Sequence, residues 1–506
     1  MKVSIIGGGI SGLTLGCYLQ MNGFDTAIYE KHLHPGGLCT SWKRGGFTFD
    51  GCLHWVLGSD SGSAFYKLWS ELLDMKSVDF VNHDVRVTIE LNKNVNQYGE
   101  NVFRLYTNIA RLESYLLDLA PEDEKMIKDL TKFIRICQRY EMPPMIDKIS
   151  QMQTIREKVF MIKYFPFLKM FFRWKNVTNY SFARTLKNPF LKEAFELLFD
   201  GDEINMMMIV MPLAFCDKKS AGYPVGGSLS FAEKIARKYE SLGGQIYLRK
   251  EIKNIIVEEN TAKGITLTDG QQILSDITIS TADWHFTVFQ ALGGKYTNKS
   301  ILALQAKKTL EIYPSVMLIS LGVSGEFKDY PHFFKFAMRK EYISPDGTHY
   351  SRIEAHIYHY DHTLAPSGKT NIAISLYTRN GQFWIDLRNN NLEEYNRCKN
   401  EFADAIIQAL DEKIGGVISA IEVKDVATPA TFHRYTGNIQ GSVQGWFPSK
   451  NLLASSPVRI SLPGLAGFYY SGHWSIPGGG IPTAIKSSRD LAQILCLKYK
   501  KPFVLK

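Results

Sequence analysis

The strongest constraint on this chain lies near its start, where Gly7, Gly9 and Gly12 form a G-x-G-x-x-G turn. Lys2 to Ile6 before the turn reads as a short buried strand, Ser11 to Asn22 as a helix ending before Gly23, and Thr26 to Tyr29 as a second strand. Glycine triplets arise easily in a chain with 40 glycines. This one follows a strand, opens a helix and is answered by Glu30 at the end of the next strand, roughly 20 residues on, which is the dinucleotide-binding βαβ pattern. Gly7 permits the tight turn, Gly9 lets backbone approach a pyrophosphate and Gly12 allows helix to pack closely on strand. Glu30 would accept hydrogen bonds from adenosine ribose hydroxyls and repel a 2′-phosphate, which disfavours NADP.

The rest of the chain must complete that unit. Its 506 residues suffice for two or three substructures sharing a large apolar interior, and 45% hydrophobic with 22% charged residues is globular composition. The net charge of +9 contains no run of five or more Lys or Arg, so a nucleic-acid partner is not expected. A face for anionic lipids and a merely basic, soluble surface both stay open. Seven widely spaced cysteines without a C-x-x-C pair indicate neither a disulfide framework nor a zinc site and suit a cytoplasmic compartment. The first residues read as folded strand rather than a targeting segment, and a spanning helix is not expected.

Apolar and basic periodicity over 109–213 predicts a helical insertion, with helices at Ile109 to Leu119, Asp123 to Tyr140, Ile155 to Trp174 and Phe190 to Leu198. Strand patterns return at Gln245 to Leu248, Ile252 to Glu258, Gly264 to Thr268 and Ile277 to Ser280. Alternation in Ser315 to Leu321 and Asn371 to Tyr377 predicts an antiparallel sheet, followed by a helix from Leu392 to Leu410. The expected class is α/β: a Rossmann-type nucleotide-binding domain made of 1–108, 214–290 and 451–506, interleaved with the insertion and with an antiparallel-sheet substrate domain at 291–450.

Several motifs beyond the first turn carry a family likeness. Pro35-Gly36-Gly37 is followed by Phe49-Asp50-Gly51 and His54, and Gly467 to Gly472 precedes Pro477-Gly-Gly-Gly480-Ile481-Pro482 and a helix starting at about Thr483. In these residues the sequence resembles the flavoproteins that include amine oxidases, phytoene desaturases and retinol saturases. The closing motif resembles the phytoene desaturase group closely. Tyr223 to Ser228, Ile252 and Thr281-Ala282-Asp283 fit the same pattern, and the tract from Arg434 to Trp446 resembles retinol-saturase-like and carotenoid-isomerase-like members.

The resemblance implies FAD as cofactor, held by Gly7, Gly9, Gly12, Glu30, Gly36, Gly37, Asp50, Gly51, Ile252, Ala282, Gly472, Gly479, Gly480, Ile481 and Pro482. Leu38 stands where the family has an Arg after the glycine pair, and Lys43 or Arg44 is the expected substitute. The implied activity is oxidoreduction on a long apolar isoprenoid or polyene, desaturating, saturating or isomerising C–C double bonds by hydride exchange with flavin N5. An amine-oxidase-like enzyme and a non-redox FAD-containing isomerase or interaction protein are the alternatives. His54 and His473 are the candidate proton donors. The electron donor or acceptor is left open.

His356, His359 and His362 resemble a metal cluster only at a glance, because alternation on a strand puts His359 opposite the other two; no metal site is expected. Ser228 and Ser230 lack the G-x-S-x-G spacing of a hydrolase. The aromatic and cationic stretch Phe160 to Trp174 suits peripheral membrane contact, with Lys163, Lys169 and Arg173 reaching headgroups, or else a helical subdomain around its own core, and Pro166 is expected to break or kink it. The four methionines of Ile204 to Phe215 suit core, or a soft wall beside a long apolar ligand that needs no charged anchor.

Overall fold

The computed structural model describes residues 1–140, 149–152, 161–199, 202–307, 309–448, 460–475 and 480–505. Five parallel strands form the nucleotide-binding sheet, in the spatial order Gln245–Tyr247, Asp25–Tyr29, Lys2–Ile6, Ile277–Ser280, Phe468–Tyr470. A parallel sheet must be covered on both faces, and the apolar runs of these strands meet that demand: Ile5, Ile28, Ile277 and Ile279 are fully buried. The first, middle and last parts of the chain each supply strands, as an interleaved fold requires.

Helix Ile10–Met21 is buried at every position but Gln20. It packs against Gly227–Ser241 and Gly480–Lys498 through small residues. Ser11 Oγ lies 2.8 Å from Ser488 Oγ, and a methyl at Gly16 would come within 2.6 Å of the Tyr239 ring. A buried clamp ties the first and last helices together. Arg489 donates to both oxygens of Glu71 at 3.0 and 3.2 Å, and Tyr18 Oη donates to the same carboxylate at 2.7 Å.

The second sheet has seven strands, in the order Ile421–Ala427, Ser315–Ser324, Lys369–Thr378, His349–Ile357, Phe333–Ile343, Val85–Glu90, Val102–Tyr106. All neighbours are antiparallel except Phe333–Ile343 with Val85–Glu90. The last two strands come from the 1–108 portion assigned to the nucleotide-binding domain, so that portion serves both sheets. Its alternation, with Val87, Ile89, Phe103 and Leu105 buried, feeds the core of the helical insertion. The long helix Leu392–Ile414 covers one face of the sheet with Phe402, Ile406 and Leu410.

The insertion holds helices Ile109–Leu119, Glu124–Arg139, Phe165–Trp174, Asn179–Ala183, Pro189–Leu197 and Met207–Asp217 among its described residues. The expected helix is interrupted at Pro166: a 3-10 turn, Met161–Tyr164, precedes it and the α-helix starts only at Phe165. Pro166 stands in the first turn of Phe165–Trp174, where the missing N–H costs nothing. The part of the expected Ile155 to Trp174 helix at 155–160 lies outside the described residues. Among the described residues no helix is long and apolar enough to cross a membrane.

Candidate functional site

The carboxyl ends of the parallel strands open onto a cavity of about 740 Å³, where ligands sit in open α/β sheets. Gly7, with φ +97°, turns the chain out of the first strand, and its N–H donates to Tyr29 O at 2.9 Å. Glu30 is buried, with Oε2 accepting from Gly8 N at 2.7 Å and Oε1 from His32 N at 2.8 Å. Desolvation raises its proton affinity, opposed by those two bonds. Gly36 N donates to Gly8 O at 2.8 Å, which pins the second glycine pair against the first turn.

Two glycines of the turn differ in what they exclude. A methyl at Gly12 would lie 2.0 Å from Gly7 O, so its bareness serves helix-on-strand packing. One at Gly9 would meet nothing closer than 3.8 Å, at Gly36 O and Gly37 Cα. The space over Gly9 belongs to the cavity.

The structure brings Gly7, Gly9, Glu30, Gly36, Gly37, Ile252, Ala282, Gly480 and Ile481 to the cavity lining, with His473. Gly12 and Gly472 stand behind it. Gly472, at φ +133°, donates its N–H to Ser487 Oγ at 3.0 Å and comes close to Ser11. Pro482 follows in the first turn of the closing helix, and Gly479 lies outside the described residues.

Three expected cofactor residues are placed elsewhere. Lys43 is exposed on the hairpin Ser41–Arg44 with Phe47–Asp50 and is absent from the lining, while Arg44 is drawn to Asp425 at 3.3 Å. The hairpin's Trp42 also donates to Asp425, at 2.9 Å, so this edge is tied to the seven-stranded sheet and neither cation replaces the missing arginine. Asp50 is buried and clamps the start of helix Gly227–Ser241. Its Oδ2 accepts from Ser228 N at 2.5 Å and its Oδ1 from Ser228 Oγ at 2.6 Å and Cys52 N at 2.9 Å. A carboxylate at a helix N-terminus satisfies both its orphan donors and its dipole. Gly51 packs on Trp42, and the segment reaches the cavity only through Cys52.

The proton-donor expectation meets a physical obstacle. Burial lowers the His473 imidazole to about 4 and His54 to about 3, so neither carries a transferable second proton at neutral pH. His54 is crowded by neighbouring groups although the residue as a whole is accessible. It stacks on His356 at 4.1 Å, and His356 stacks on Phe333 at 4.0 Å. His473 Nε2 is buried and, among the described residues, has no hydrogen-bond partner.

Sequence reasoning used the tract Arg434 to Trp446 as a family likeness and placed none of its residues in the site. The tract forms one side of the cavity through Thr436, Asn438 and Gln444, held by Ile439 N donating to buried Asp283 at 3.0 Å. Polar residues without periodicity carry no signal of what they will face.

A second cavity, of about 570 Å³, lies between the seven-stranded sheet and the insertion. Phe199, Ile204, Met208 and Ile209 give it the expected apolar wall. On the sheet side Arg86, Lys335, Arg352 and Glu354 also line it. Lys335 and Glu354, 2.9 Å apart, are only 7% and 12% exposed.

The family model described as NAD(P)-binding Rossmann-like domain matches residues 5–72. The chloroplastic prolycopene isomerase of Daucus carota is 24% identical over 99% of this chain and 81% of its own length. The 4,4'-diapophytoene desaturase (4,4'-diapolycopene-forming) of Methylomonas sp is 22% identical over 99% of this chain and 96% of its own length. Among solved structures, cyclohexylamine oxidase from Brevibacterium oxydans IH-35A superimposes with a TM-score of 0.56 at 13% identity, covering 99% of both chains. The resemblance drawn from the motifs thus extends along nearly the whole chain, and the fold is the Rossmann-like one expected.

Proposed function

We propose that this chain, alike along its length to polyene desaturases and isomerases, is an FAD-dependent oxidoreductase that desaturates, saturates or isomerises conjugated C–C double bonds of a long isoprenoid. The observation that carries the reading is the cavity at the strand ends, with empty space over Gly9, buried Glu30 at one side, and both glycine-rich helix starts at its wall. A bound flavin supplies hydride exchange at N5. Glu30 would take the adenosine ribose, the Gly9 backbone and the Ile10–Met21 helix start the pyrophosphate, and the start of Gly480–Lys498 the negative charge of the reduced ring. His473 Nε2, buried and unsatisfied in the protein alone, fits a hydrogen bond to the cofactor. His54 and His473, kept neutral by burial, would orient and donate hydrogen bonds rather than act as imidazolium acids. Water exclusion and alignment are the chain's contribution to the chemistry.

The amine-oxidase alternative is disfavoured by the second cavity, whose described lining sets four fixed cations against two carboxylates where an ammonium substrate would need the reverse. The shared fold with amine oxidases fixes architecture alone. The exposed Phe165 and Phe172, with Lys169 and Arg173 on the same helix, form the face that would rest on an anionic bilayer, a source of water-insoluble substrate.

Anaerobic incubation of the purified protein with polyenes, following flavin absorbance and products together, tests the reading. Polyene conversion is expected. Turnover of simple amines with peroxide release and no change in any polyene would replace this reading with the amine-oxidase one. Polyene isomerisation with no hydrogen exchange between flavin N5 and the polyene would select the non-redox alternative.

A further inference from the structure

The cations of the second cavity are not equivalent. Lys335 is committed to Glu354 and to Leu198 O, at 2.9 and 3.1 Å. Arg352 donates to Asn92 Oδ1 and Glu90 O, at 2.5 and 2.7 Å, and Arg379 pairs with Asp202 at 2.9 Å and Glu311 at 3.4 Å. Arg86 differs. Its contacts are the Cys216 sulfur at 3.6 Å and the face of Trp55, 5.1 Å from the guanidinium carbon, and among the described residues no carboxylate pairs with it. It is partly buried, and the imidazoles its field reaches, His54, His332 and His356, are held neutral and offer it no counter-charge.

A guanidinium held by a sulfur and a ring keeps most of its donors for something else, and desolvating such a cation without a counter-ion is costly. The insertion contributes apolar Phe199, Met208 and Ile209 to the same lining, with Asp202, which Arg379 engages. The stack of Phe333, His356 and His54 leads from this cavity toward the Asp50-Gly51-Cys52 segment at the edge of the dinucleotide cavity.

We propose that Arg86 is the anchor for the terminal carboxylate of an amphipathic isoprenoid acid, whose hydrocarbon chain lies along the insertion wall. A planar guanidinium matches a carboxylate in a two-point, charge-assisted contact. A pure hydrocarbon would leave the arginine uncompensated, and an ammonium would be repelled. The assignment rests on the polyene-oxidoreductase reading for what happens to the chain, but not for the binding itself.

The test uses the purified full-length protein and two probes of equal length, geranylgeranoic acid and geranylgeraniol, with affinity read by calorimetry and by fluorescence, Trp55 being a reporter beneath Arg86. The acid is expected to bind at least about tenfold more tightly than the alcohol, equivalent to about 1.4 kcal/mol. Arg86→Gln should remove that preference by weakening the acid alone, and Arg86→Lys should keep part of it. Equal binding of acid and alcohol to the unaltered protein, which needs no variant to fold, overturns the proposal. So does a preference that survives in folded Arg86→Gln. Flavin content and polyene turnover are measured on the same samples. An Arg86-dependent acid preference in a protein without flavin supports this site while refuting the oxidoreductase reading, and polyene turnover without acid preference does the opposite.

Discussion

Replacing Gly9 with Val and Gly12 with Ala separates the two purposes of the glycine turn. At Gly9 the backbone is extended, φ −70° and ψ 176°, a conformation any residue adopts, and the nearest atoms to an added Cβ are 3.8 Å away. Nothing in the protein resists the side chain, and losing a glycine's unfolded-state freedom stabilises by about 0.4–1 kcal/mol at compatible positions. At Gly12 the added Cβ would sit 2.0 Å from Gly7 O and 3.0 Å from Thr281 Oγ1. Helix and strand would have to separate, a class of overpacking that costs about 1–3 kcal/mol or more. Both apoproteins are compared by denaturant midpoint, because bound cofactor would add its own stabilisation. Flavin is then quantified after heat release and identified as FAD or FMN by chromatography. Gly9→Val should match or exceed the parent's apoprotein stability yet retain little FAD, whereas Gly12→Ala should lose stability before cofactor enters the comparison. Full FAD occupancy in Gly9→Val would refute the claim that the space over Gly9 is the pyrophosphate's, and recovery of FMN or NADP from the parent would refute the assignment of Glu30.

Binding to anionic vesicles should fall when Phe165 and Phe172, 67% and 62% exposed, are both changed to Ser, and a parent protein that never sediments with vesicles at low salt would remove the membrane face; Arg173 is left intact because it pairs with Asp129 at 2.7 Å. His356, 4% exposed and lowered to about 3 by burial and by the charge of Lys335, binds its proton far more weakly folded than unfolded, so its contribution to stability is whole above about pH 6.5 and is lost progressively as pH falls from there toward about 3. The stability difference between parent and His356→Gln should therefore shift against the parent by up to about 1.4 kcal/mol per pH unit between pH 6 and 4, and a difference independent of pH would contradict a buried neutral imidazole.

The parallel core was legible because its signals are local. Gly7 to Gly12 with Glu30 fixes a turn, a helix start and a strand end within one short stretch, and the structure places all three as spacing demands. Helices Ile109–Leu119, Glu124–Arg139, Phe165–Trp174 and Pro189–Leu197 of the insertion were legible by period, Asn179–Ala183 and Met207–Asp217 were not, and Leu392 to Leu410 proved to be the first part of Leu392–Ile414. What sequence could not supply was partner choice between distant strands. Val85–Glu90 alternates as any half-buried strand does, and only its parallel pairing with Phe333–Ile343 moves it into the second sheet.

The same limit governs the site. Asp50 and Lys43 were assigned by likeness of motif, but a side chain's destination depends on what the fold brings opposite it. For Asp50 that is the Ser228 helix start. For Lys43 it is solvent beside a hairpin anchored on Asp425. Arg86 shows the converse. In sequence it is one cation on an alternating strand, indistinguishable from Arg104 on the neighbouring one, which pairs with Glu100 at 3.4 Å. Its environment is made by Trp55 and Cys216, from two segments that meet only in the folded chain. Arg86 and the Lys335–Glu354 pair are costly where they stand and contribute little to stability that apolar residues could not. Their place in one lining with apolar side chains of the insertion is what ties that cost to a ligand with one charged end.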